Sequence, residues 1–310
     1  MTEETLKAQL AWIPPIEGTV PGAQKRIIVG GMGGSALPGH AARFLDDSFS
    51  VDVHSDYDLP ARATGDTLYI AISYSGNTVE TLSFARAARE RGFPLAAVAS
   101  GGALADFARA SGVPLVVVPG GLQPRNALFY LTRAFLALAG REDALAALAE
   151  VRLDVAAAGK EAETLAKGLP NALPLFYASR RNGFLARSSK IHLNESAKMP
   201  AFANVFPELS HNEMQSFDTP APEALAVLAR FVLITDADDD ARVARRMEVF
   251  AELMRERGRS VVELALAGAT RAEKLVRAWF TICLAACALA EARGIDPDAV
   301  PLVEEFKKRL

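Results

Sequence analysis

Hydroxyl side chains are concentrated in one short stretch of this sequence that is suited to bind a phosphate. Ser73, Ser75 and Thr78 lie within six residues of one another, together with Gly76 and Asn77. A helix N-terminus offers unpaired backbone N–H groups and a partial positive charge, which attract anions. Each charge–dipole contact contributes only ~0.3–1 kcal/mol at the surface, so several donors must converge. Capping a helix requires one hydroxyl, and the presence of three favours a phosphate site over a simple cap.

Side chains suited to acid–base chemistry occur further along the chain. Glu195 follows Asn194 at a predicted helix end, and His211 lies in a Pro-containing stretch. A carboxylate and an imidazole in one cleft can act as base and acid near neutral pH, each worth ~10²–10⁴ in rate. Arg125 follows Pro124 where a helix begins, and it could hold an anion with two parallel hydrogen bonds. The sequence alone leaves open a solvated glutamate, a loop histidine bonded to a carbonyl and an exposed arginine.

The elements that position these residues alternate between strand and helix. The apolar run 68–72 predicts a buried parallel strand, and the apolar spacing of 79–91 predicts an amphipathic helix. A second strand, 26–29, leads into the glycine-rich turn 30–36, which lacks the patterns of dinucleotide and nucleoside triphosphate sites. Two such turns at the carboxyl ends of strands predict one shared crevice. The repeated strand–helix units predict an α/β fold with a doubly wound parallel sheet.

The length of 310 residues allows two domains, which we predict at 1–154 and 155–310. One Ala-rich, charged helix is predicted over 141–168, and residues 13–21 are predicted to be a Pro-rich linker. Apolar runs and helical spacing predict the other elements of the second domain at 173–178, 183–196, 231–234, 241–257, 261–266 and 271–293.

The second half contains a faint repeat of the first. Strand 231–235 and its helix echo strand 68–72 and its helix, but the turn between them is rich in aspartate, at positions 236 and 238–240. Carboxylates repel an anion. Only the first half is therefore expected to bind phosphate.

Composition limits the compartment and the class of partner. The chain has a net charge of −3, 50% hydrophobic and 23% charged residues, as soluble globular proteins do, and no basic surface for nucleic acid. No apolar run approaches ~20 residues and the N-terminus is polar, so no membrane contact and a cytoplasmic location are expected. Cys283 and Cys287 are predicted to be packed thiols. No two histidines have metal-ligand spacing, so no metal is expected.

Several motifs occur together along nearly the whole chain, and the chain thereby resembles the bifunctional phosphoglucose/phosphomannose isomerases of the sugar isomerase (SIS) superfamily. Ser-Tyr-Ser-Gly-Asn-Thr, at 73–78, is specific for the superfamily, and the Asn-Glu and His-Asn-Glu pairs narrow the resemblance to this family. The motifs that carry it are Gly31-Met32-Gly33-Gly34-Ser35, Ser73 to Thr81, Pro124-Arg125, Asn194-Glu195 with Lys198, His211-Asn212-Glu213 and Phe306 to Leu310.

The resemblance implies a fold and a reaction. The fold would be two SIS-type, flavodoxin-like subdomains, each a doubly wound parallel sheet in αβα layers. The reaction would interconvert glucose 6-phosphate, and mannose 6-phosphate, with fructose 6-phosphate through a cis-enediolate, without metal or other cofactor. The residues that would bind the substrate phosphate and sugar are Gly33, Gly34, Ser35, Ser73, Ser75 and Thr78.

The resemblance also implies roles for four catalytic residues. Glu195 would move a proton between C2 and C1, and Arg125 would stabilise the cis-enediolate. His211 would assist ring opening, reaching in from the partner subunit of a homodimer whose active site lies at the interface. Lys307, rather than Lys308, would contact the sugar from the C-terminal helix.

Two other functions are weighed against this one. A sensor would bind a sugar phosphate without converting it, but no DNA-binding segment is attached and Glu195, His211 and Arg125 are all present. An amino-sugar phosphate isomerase would act on glucosamine 6-phosphate. Leu37-Pro38-Gly39-His40 departs from the family pattern, which has an acidic residue there, so use of both glucose and mannose substrates is less firmly indicated than isomerisation.

Overall fold

Short apolar runs of the sequence form the strands of two separate sheets. The computed structural model describes residues 1–22, 24, 26–218 and 228–309, and the chain divides into two units, Met1–Arg152 and Leu153–Leu310. The first unit contains a six-stranded sheet and the second a four-stranded sheet. The predicted α/β class is confirmed. The boundary predicted after residue 154 falls two residues beyond this division.

The elements of the first unit follow the predicted alternation. Its strands are β1 (Ile16–Glu17), β2 (Arg26–Gly30), β3 (Val51–His54), β4 (Thr67–Ser73), β5 (Leu95–Ala99) and β6 (Leu115–Val117). Its helices are α1 (Glu3–Ala11), α2 (Leu37–Leu45), α3 (Val79–Glu90), α4 (Gly102–Ala110), α5 (Leu128–Leu138) and α6 (Glu142–Glu150).

The first sheet has the order β1-β6-β5-β4-β2-β3 and is parallel except at one edge. Strand β4 is buried along its whole length, and α3 and α4 pack on one face of the sheet. Helices α2 and α5 pack together on the other, which gives three layers. The antiparallel edge strand β1 lies in the predicted linker. Both of its residues are exposed, so no apolar pattern marked it.

The second unit has the same alternation. Its strands are β7 (Leu173–Ser179), β8 (Phe202–Phe206), β9 (Ala229–Thr235) and β10 (Ser260–Ala265). Its helices are α7 (Val155–Lys167), α8 (Gly183–Glu195), α9 (Ala241–Glu256), α10 (Arg271–Glu291) and α11 (Pro301–Lys308). All four strands are parallel, in the order β10-β9-β7-β8.

Two predictions for this part of the chain are wrong. The single helix over 141–168 is broken into α6 and α7, because Val151 is extended and the Asp154 side chain accepts from the Ala157 N–H at 2.9 Å, which caps α7. Strand β8 was not predicted. It pairs at the sheet edge and is exposed or half-buried except at Phe206, so it lacks the continuous apolar run of a central strand.

The predicted repeat is present in the topology. Strands β2, β3, β4 and β5 of the first unit have the same order as β7, β8, β9 and β10 of the second. In each set a helix joins the first strand to the second and the third to the fourth. In both units the third strand of this set is followed by a five-residue loop and a helix, at 74–78 and at 236–240. Among the described residues, no helix combines the length and hydrophobicity needed to span a bilayer.

Candidate active site

The two predicted phosphate-binding turns lie next to each other at the switch point of the first sheet. Strands β2 and β4 are neighbours, and the chain continues outward from them in opposite directions, to β3 on one side and to β5 on the other. The loops after β2 and β4 therefore diverge above the sheet and leave a crevice between them, where ligands bind in open α/β sheets. We call residues 31–35 the glycine turn and residues 73–78 the hydroxyl turn.

The glycine turn approaches other backbone segments too closely for side chains. A Cβ atom on Gly34 would lie 2.6 Å from the Arg125 backbone nitrogen, and one on Gly31 would lie 2.8 Å from the Ser35 carbonyl oxygen. Gly33 has φ +51°, in the left-handed region. Ser35 is buried, and its Oγ accepts the Tyr74 N–H at 3.0 Å. Ser35 thus joins the two turns.

The hydroxyl turn brings two of its three hydroxyls together. Ser73 Oγ lies 2.9 Å from Thr78 Oγ1 and 3.4 Å from the Thr78 nitrogen. Ser73 is fully buried, Thr78 is half-buried and Ser75 is exposed. Thr78 is the residue before α3 but makes no side-chain cap. Its hydroxyl is instead held toward Ser73.

Gly76 and Asn77 fix the hydroxyl turn on helix α4. A Cβ atom on Gly76, at φ +72°, would lie only 1.8 Å from the Gly101 carbonyl oxygen. The Asn77 side chain accepts from the Ala103 N–H at 3.1 Å, in the first turn of α4. These two residues of the motif therefore support the turn and leave the ligand contacts to its hydroxyls and N–H groups.

Arg125 lies in a 3₁₀ turn, Pro124–Asn126, directly against the glycine turn. It is fully buried, so the exposed-arginine alternative is wrong. The buried Gln9 side chain holds this turn, since its amide donates to the Asn126 carbonyl at 2.9 Å and accepts from the Phe129 N–H at 3.0 Å. A guanidinium on so constrained a backbone is preorganised to stabilise negative charge.

No role was predicted for Tyr74, which lies within the hydroxyl turn. In the structure its side chain supports this site. Its side chain is buried and its hydroxyl bonds to the backbone of Pro119 and Leu122. Burial raises the pKa of Tyr74, so the hydroxyl keeps its proton at neutral pH. In the sequence, this supporting role was indicated only by the position of the tyrosine between two serines.

Glu195 is the last residue of α8 and is half-buried. The chain turns sharply after it, and Lys198 has a positive φ of 50°. Asn194 holds this turn with a hydrogen bond to the Met199 carbonyl at 2.8 Å, and the Lys198 ammonium donates to the Asp296 carbonyl at 2.7 Å. In the predicted Asn-Glu pair, Glu195 thus places a carboxylate at the end of α8, and Asn194 fixes the chain that follows the helix.

His211 ends a 3₁₀ turn, Glu208–His211, and is exposed. The nearby Glu213 carboxylate accepts hydrogen bonds from the Tyr177 hydroxyl and the Asn204 side chain. Burial, together with this bond to Glu213, raises the pKa of Tyr177. In the His-Asn-Glu motif the glutamate is thus held by two neighbouring side chains, and the histidine is exposed.

Lys307 and Lys308 both lie in α11, whose residues are all exposed. The apolar side chains of this helix are exposed as well, including Leu302 at 79% and Phe306 at 62%. Leu310, the last residue of the predicted C-terminal motif, lies outside the described residues. Lys307 thus remains a prediction.

The structure distributes the predicted site residues over the two units. In the first unit it brings the glycine turn, the hydroxyl turn and Arg125 together. In the second, Glu195, His211 and Lys307 lie on three different elements. Among the described residues, no group of three His, Cys, Asp or Glu side chains is arranged to hold a metal ion.

The corresponding switch point of the second sheet is closed by its own side chains. Asp236 follows β9, and its buried carboxylate accepts from Lys274 at 2.5 Å and from Arg271 at 2.9 Å. Lys274 also contacts Asp238 at 2.6 Å. Burial acts to raise the pKa of Asp236, but hydrogen bonds from Lys274 and from the Asp238 backbone outweigh it and lower the pKa. The two cationic side chains of this crevice, Lys274 and Arg271, are therefore neutralised by aspartate side chains.

Asp239 closes the other side of the same crevice. Its carboxylate accepts from the hydroxyl of Ser179, the last residue of β7, at 2.6 Å and from the amide of Asn182, just after β7, at 3.0 Å. Burial raises the pKa of Asp239, and the neighbouring Asp236 charge acts in the same direction. These contacts support the prediction that only the first half of the chain binds phosphate.

The two cysteines, predicted to be packed thiols, are buried in one case and half-buried in the other. Cys283 is buried in α10, with its sulfur 3.4 Å from Nε2 of the buried His192, and Cys287 is half-buried.

Comparison with known proteins gives matches for each half of the chain. Residues 158–310 match the family described as "Bacterial phospho-glucose isomerase C-terminal SIS domain". A bifunctional phosphoglucose/phosphomannose isomerase from Caldicellulosiruptor bescii is 32% identical over 304 residues, covering 92% of this chain and 89% of that protein. A protein of the same description from Aquifex aeolicus is 33% identical over 298 residues, covering 92% of this chain and 90% of that protein.

A solved structure with the same fold is the C-terminal domain of glucosamine-fructose-6-phosphate aminotransferase from Francisella tularensis. It superposes with a TM-score of 0.67, covering 96% of this chain and 95% of that chain, at 15% sequence identity. At this identity the similarity concerns the fold alone.

Proposed function

We propose that this chain, which belongs to the family of bifunctional phosphoglucose/phosphomannose isomerases, is an aldose–ketose isomerase that interconverts glucose 6-phosphate and mannose 6-phosphate with fructose 6-phosphate. The observation that carries the proposal is the contact between the glycine turn and the Arg125 turn. It holds a buried guanidinium-bearing residue against the crevice that the two phosphate-type turns form. One end of the substrate would be anchored by its phosphate on C6, and Arg125 would stabilise the negative charge that develops at the other end, on the C1–C2 enediolate.

The proposed binding step uses the two turns of the first unit. Thr78 and Ser75 would donate to phosphate oxygens, with the N–H groups of Gly33 and Gly34 and the N-terminus of α3 providing further positive potential. Ser73 and Ser35 are buried and bonded to other parts of the turns. Their main contribution would be to set the positions of Thr78 and of the turn backbone.

The proposed chemical step needs a base and a stabilised oxyanion. Glu195 would remove the proton from C2 of the open-chain aldose and return it to C1. Meanwhile the hydroxyl proton passes from O2 to O1, and the C1–C2 double bond of the enediolate gives way to the C2 carbonyl. Arg125 would stabilise the negative oxygen of this intermediate, an effect of about 10²–10³ for one well-placed donor. The proton returns to the same molecule, so the reaction consumes no oxidant or reductant.

The proposal extends to ring opening and assembly. His211, exposed at the end of its 3₁₀ turn, would assist ring opening from the partner subunit of a homodimer. Lys307 would contact the sugar from α11. We further propose a cytoplasmic enzyme of glycolysis and gluconeogenesis, and no metal or other cofactor.

A coupled assay of the purified protein with EDTA tests this proposal. Fructose 6-phosphate is the substrate, and glucose 6-phosphate and mannose 6-phosphate are measured separately, since the Leu37 to His40 departure bears on the second product. Glu195→Gln should lower kcat by at least a thousandfold while inorganic phosphate still inhibits. The matched control is Glu161→Gln on α7, which removes a half-buried carboxylate paired with Arg277 and should leave kcat unchanged.

Three outcomes distinguish the alternatives. Tight binding of the sugar phosphate without either product indicates a sensor. Turnover of glucosamine 6-phosphate, but not of fructose 6-phosphate, indicates an amino-sugar isomerase. Full activity of the Glu195→Gln protein refutes the proposed proton-transfer role.

A further inference from the structure

The side chain of Tyr74 connects the hydroxyl turn to the loop that precedes Arg125. Its hydroxyl donates to the Pro119 carbonyl at 2.9 Å and accepts from the Leu122 N–H at 3.0 Å. Tyr74 is only 5% exposed, so water does not easily replace these bonds. One hydroxyl therefore satisfies both a carbonyl and an N–H group of the same loop.

The backbone of Tyr74 makes two more connections. Its N–H donates to Ser35 Oγ at 3.0 Å, in the glycine turn. Its carbonyl accepts from the Ser100 N–H at 2.9 Å and from the Ser100 hydroxyl at 2.6 Å, at the end of β5. Through this one residue the hydroxyl turn is bonded to both neighbouring loops and to the loop 119–122.

Loop 119–122 leads directly into the 3₁₀ turn that carries Arg125. That turn is in contact with Gly34 on one side, and the Gln9 amide holds Asn126 on the other. These contacts help to set the position of Arg125 relative to the hydroxyl turn, and the Tyr74 hydroxyl adds bonds to the chain just before Arg125.

We infer that Tyr74 is a positioning residue for the isomerisation, which holds the Arg125 turn at a fixed place relative to the phosphate-binding hydroxyl turn. The inference rests on the proposed function, in which Arg125 stabilises the enediolate. Tyr74 touches neither substrate nor reacting atoms in this account. It acts by limiting the motion of the guanidinium once the phosphate is anchored, and a misplacement of about 1 Å can cost 10²-fold in rate.

Tyr69 provides a matched control in β4, the strand that leads into the hydroxyl turn. It is also buried, and its hydroxyl also donates to a backbone carbonyl and accepts a backbone N–H, both of Thr64, at 3.0 and 2.8 Å. These bonds join β4 to the loop before it, at the opposite end of the strand from the hydroxyl turn. Tyr69→Phe and Tyr74→Phe thus remove the same kind of bonds from the same sheet.

The experiment compares Tyr74→Phe, Tyr69→Phe and wild type with fructose 6-phosphate as substrate. Tyr74→Phe should lower kcat about tenfold, with KM and the inhibition constant of inorganic phosphate changed less than twofold. Tyr69→Phe should leave all three within twofold of wild type. Amide hydrogen exchange at residues 119–126 should accelerate in Tyr74→Phe alone.

Coupling to the arginine is tested in the Arg125→Lys background. If Tyr74 acts through Arg125, adding Tyr74→Phe there should lower kcat less than twofold further. A tenfold additional loss, or a Tyr74→Phe protein that behaves like Tyr69→Phe while wild type is active, overturns this inference and leaves the proposed function intact. Wild-type protein without isomerase activity overturns the proposed function, and the positioning role with it.

Discussion

Replacing Gly34 by alanine tests whether the backbone contact between the glycine turn and Arg125 sets the rate. The φ of Gly34 is one that any residue can adopt, so the substitution adds a methyl group without demanding a left-handed backbone. That methyl carbon would lie 2.6 Å from the Arg125 nitrogen and 2.7 Å from the Pro124 carbonyl carbon. Both neighbours are backbone atoms, so no side chain can rotate away to relieve the contact.

The size of the displacement follows from these distances. Ordinary van der Waals contacts of a Cβ atom begin near 3.4 Å, so full relief of the 2.6 Å contact requires the two segments to separate by about 0.8 Å. Gln9 and Tyr74 oppose that movement, and overpacking of this kind costs about 1–3 kcal/mol of stability. A shift near 1 Å at a catalytic group costs about 10²-fold in rate, or about 2.7 kcal/mol in the activation free energy.

The coupled isomerase assay and urea denaturation together measure both effects. Gly34→Ala should lower kcat about a hundredfold and lower the free energy of unfolding by 1–3 kcal/mol. Gly39→Ala is the matched control, since its Cβ atom would meet the Val53 side chain at 2.7 Å and not the Arg125 turn. It should lose similar stability and keep kcat within threefold. A destabilised Gly34→Ala protein that retains wild-type kcat would refute the argument that this contact positions the arginine.

Three further predictions concern stability and are measured by urea denaturation. Asp236→Ala removes the carboxylate that neutralises the buried Lys274 and should lower the free energy of unfolding by ~3–5 kcal/mol. The control Glu248→Ala, in an exposed ion pair, should lower it by less than ~1 kcal/mol. Equal losses would contradict the buried-charge argument. Burial raises the pKa of Asp239, so its stabilising contribution is present below the ordinary carboxyl value near pH 4 and lost as pH rises; Asp239→Asn should therefore stabilise the protein at pH 7 by about 1 kcal/mol and not at pH 3. Asn77→Ala removes an acceptor from the first turn of α4 and should cost about 1 kcal/mol, with faster hydrogen exchange at that turn.

Most of the central strands and helices could be predicted because their burial is continuous. Strand β4 is buried at all seven positions, and its apolar run was recognised from sequence. Strands β1 and β8 lie at sheet edges. Strand β1 has only two residues, both exposed, and the apolar residues of β8 are interrupted by Asn204 and, except at Phe206, only partly buried. The break between α6 and α7 depends on one cap, Asp154. An aspartate within an Ala-rich, charged segment looks the same whether it caps a helix or lies on its surface.

The residue types of the site could be predicted from sequence, but the division of labour among them could not. Three hydroxyls in six residues indicated an anion site, yet the burial of Ser73 and its bond to Thr78 depend on how the strand end meets the helix. Tyr74 bonds to residues 45 and 48 positions away. Contacts of that separation are set by the order of strands in the sheet, and no local spacing encodes them.

The two switch points indicate how a repeated unit can take on two roles. Each has a five-residue loop between a buried strand and a helix, so the backbone crevice is available in both units. In the first unit the loop carries hydroxyls, and its one amide side chain is used to brace α4. In the second unit Asp236 supplies the negative charge that a bound phosphate would bring, and Lys274 and Arg271 bind it permanently. Unlike a bound phosphate, a carboxylate of the chain itself is always present and loses no translational entropy on binding. It therefore stabilises the unit, but it also excludes an external anion. The second crevice thereby becomes part of the fold, and the first is the one left for a ligand.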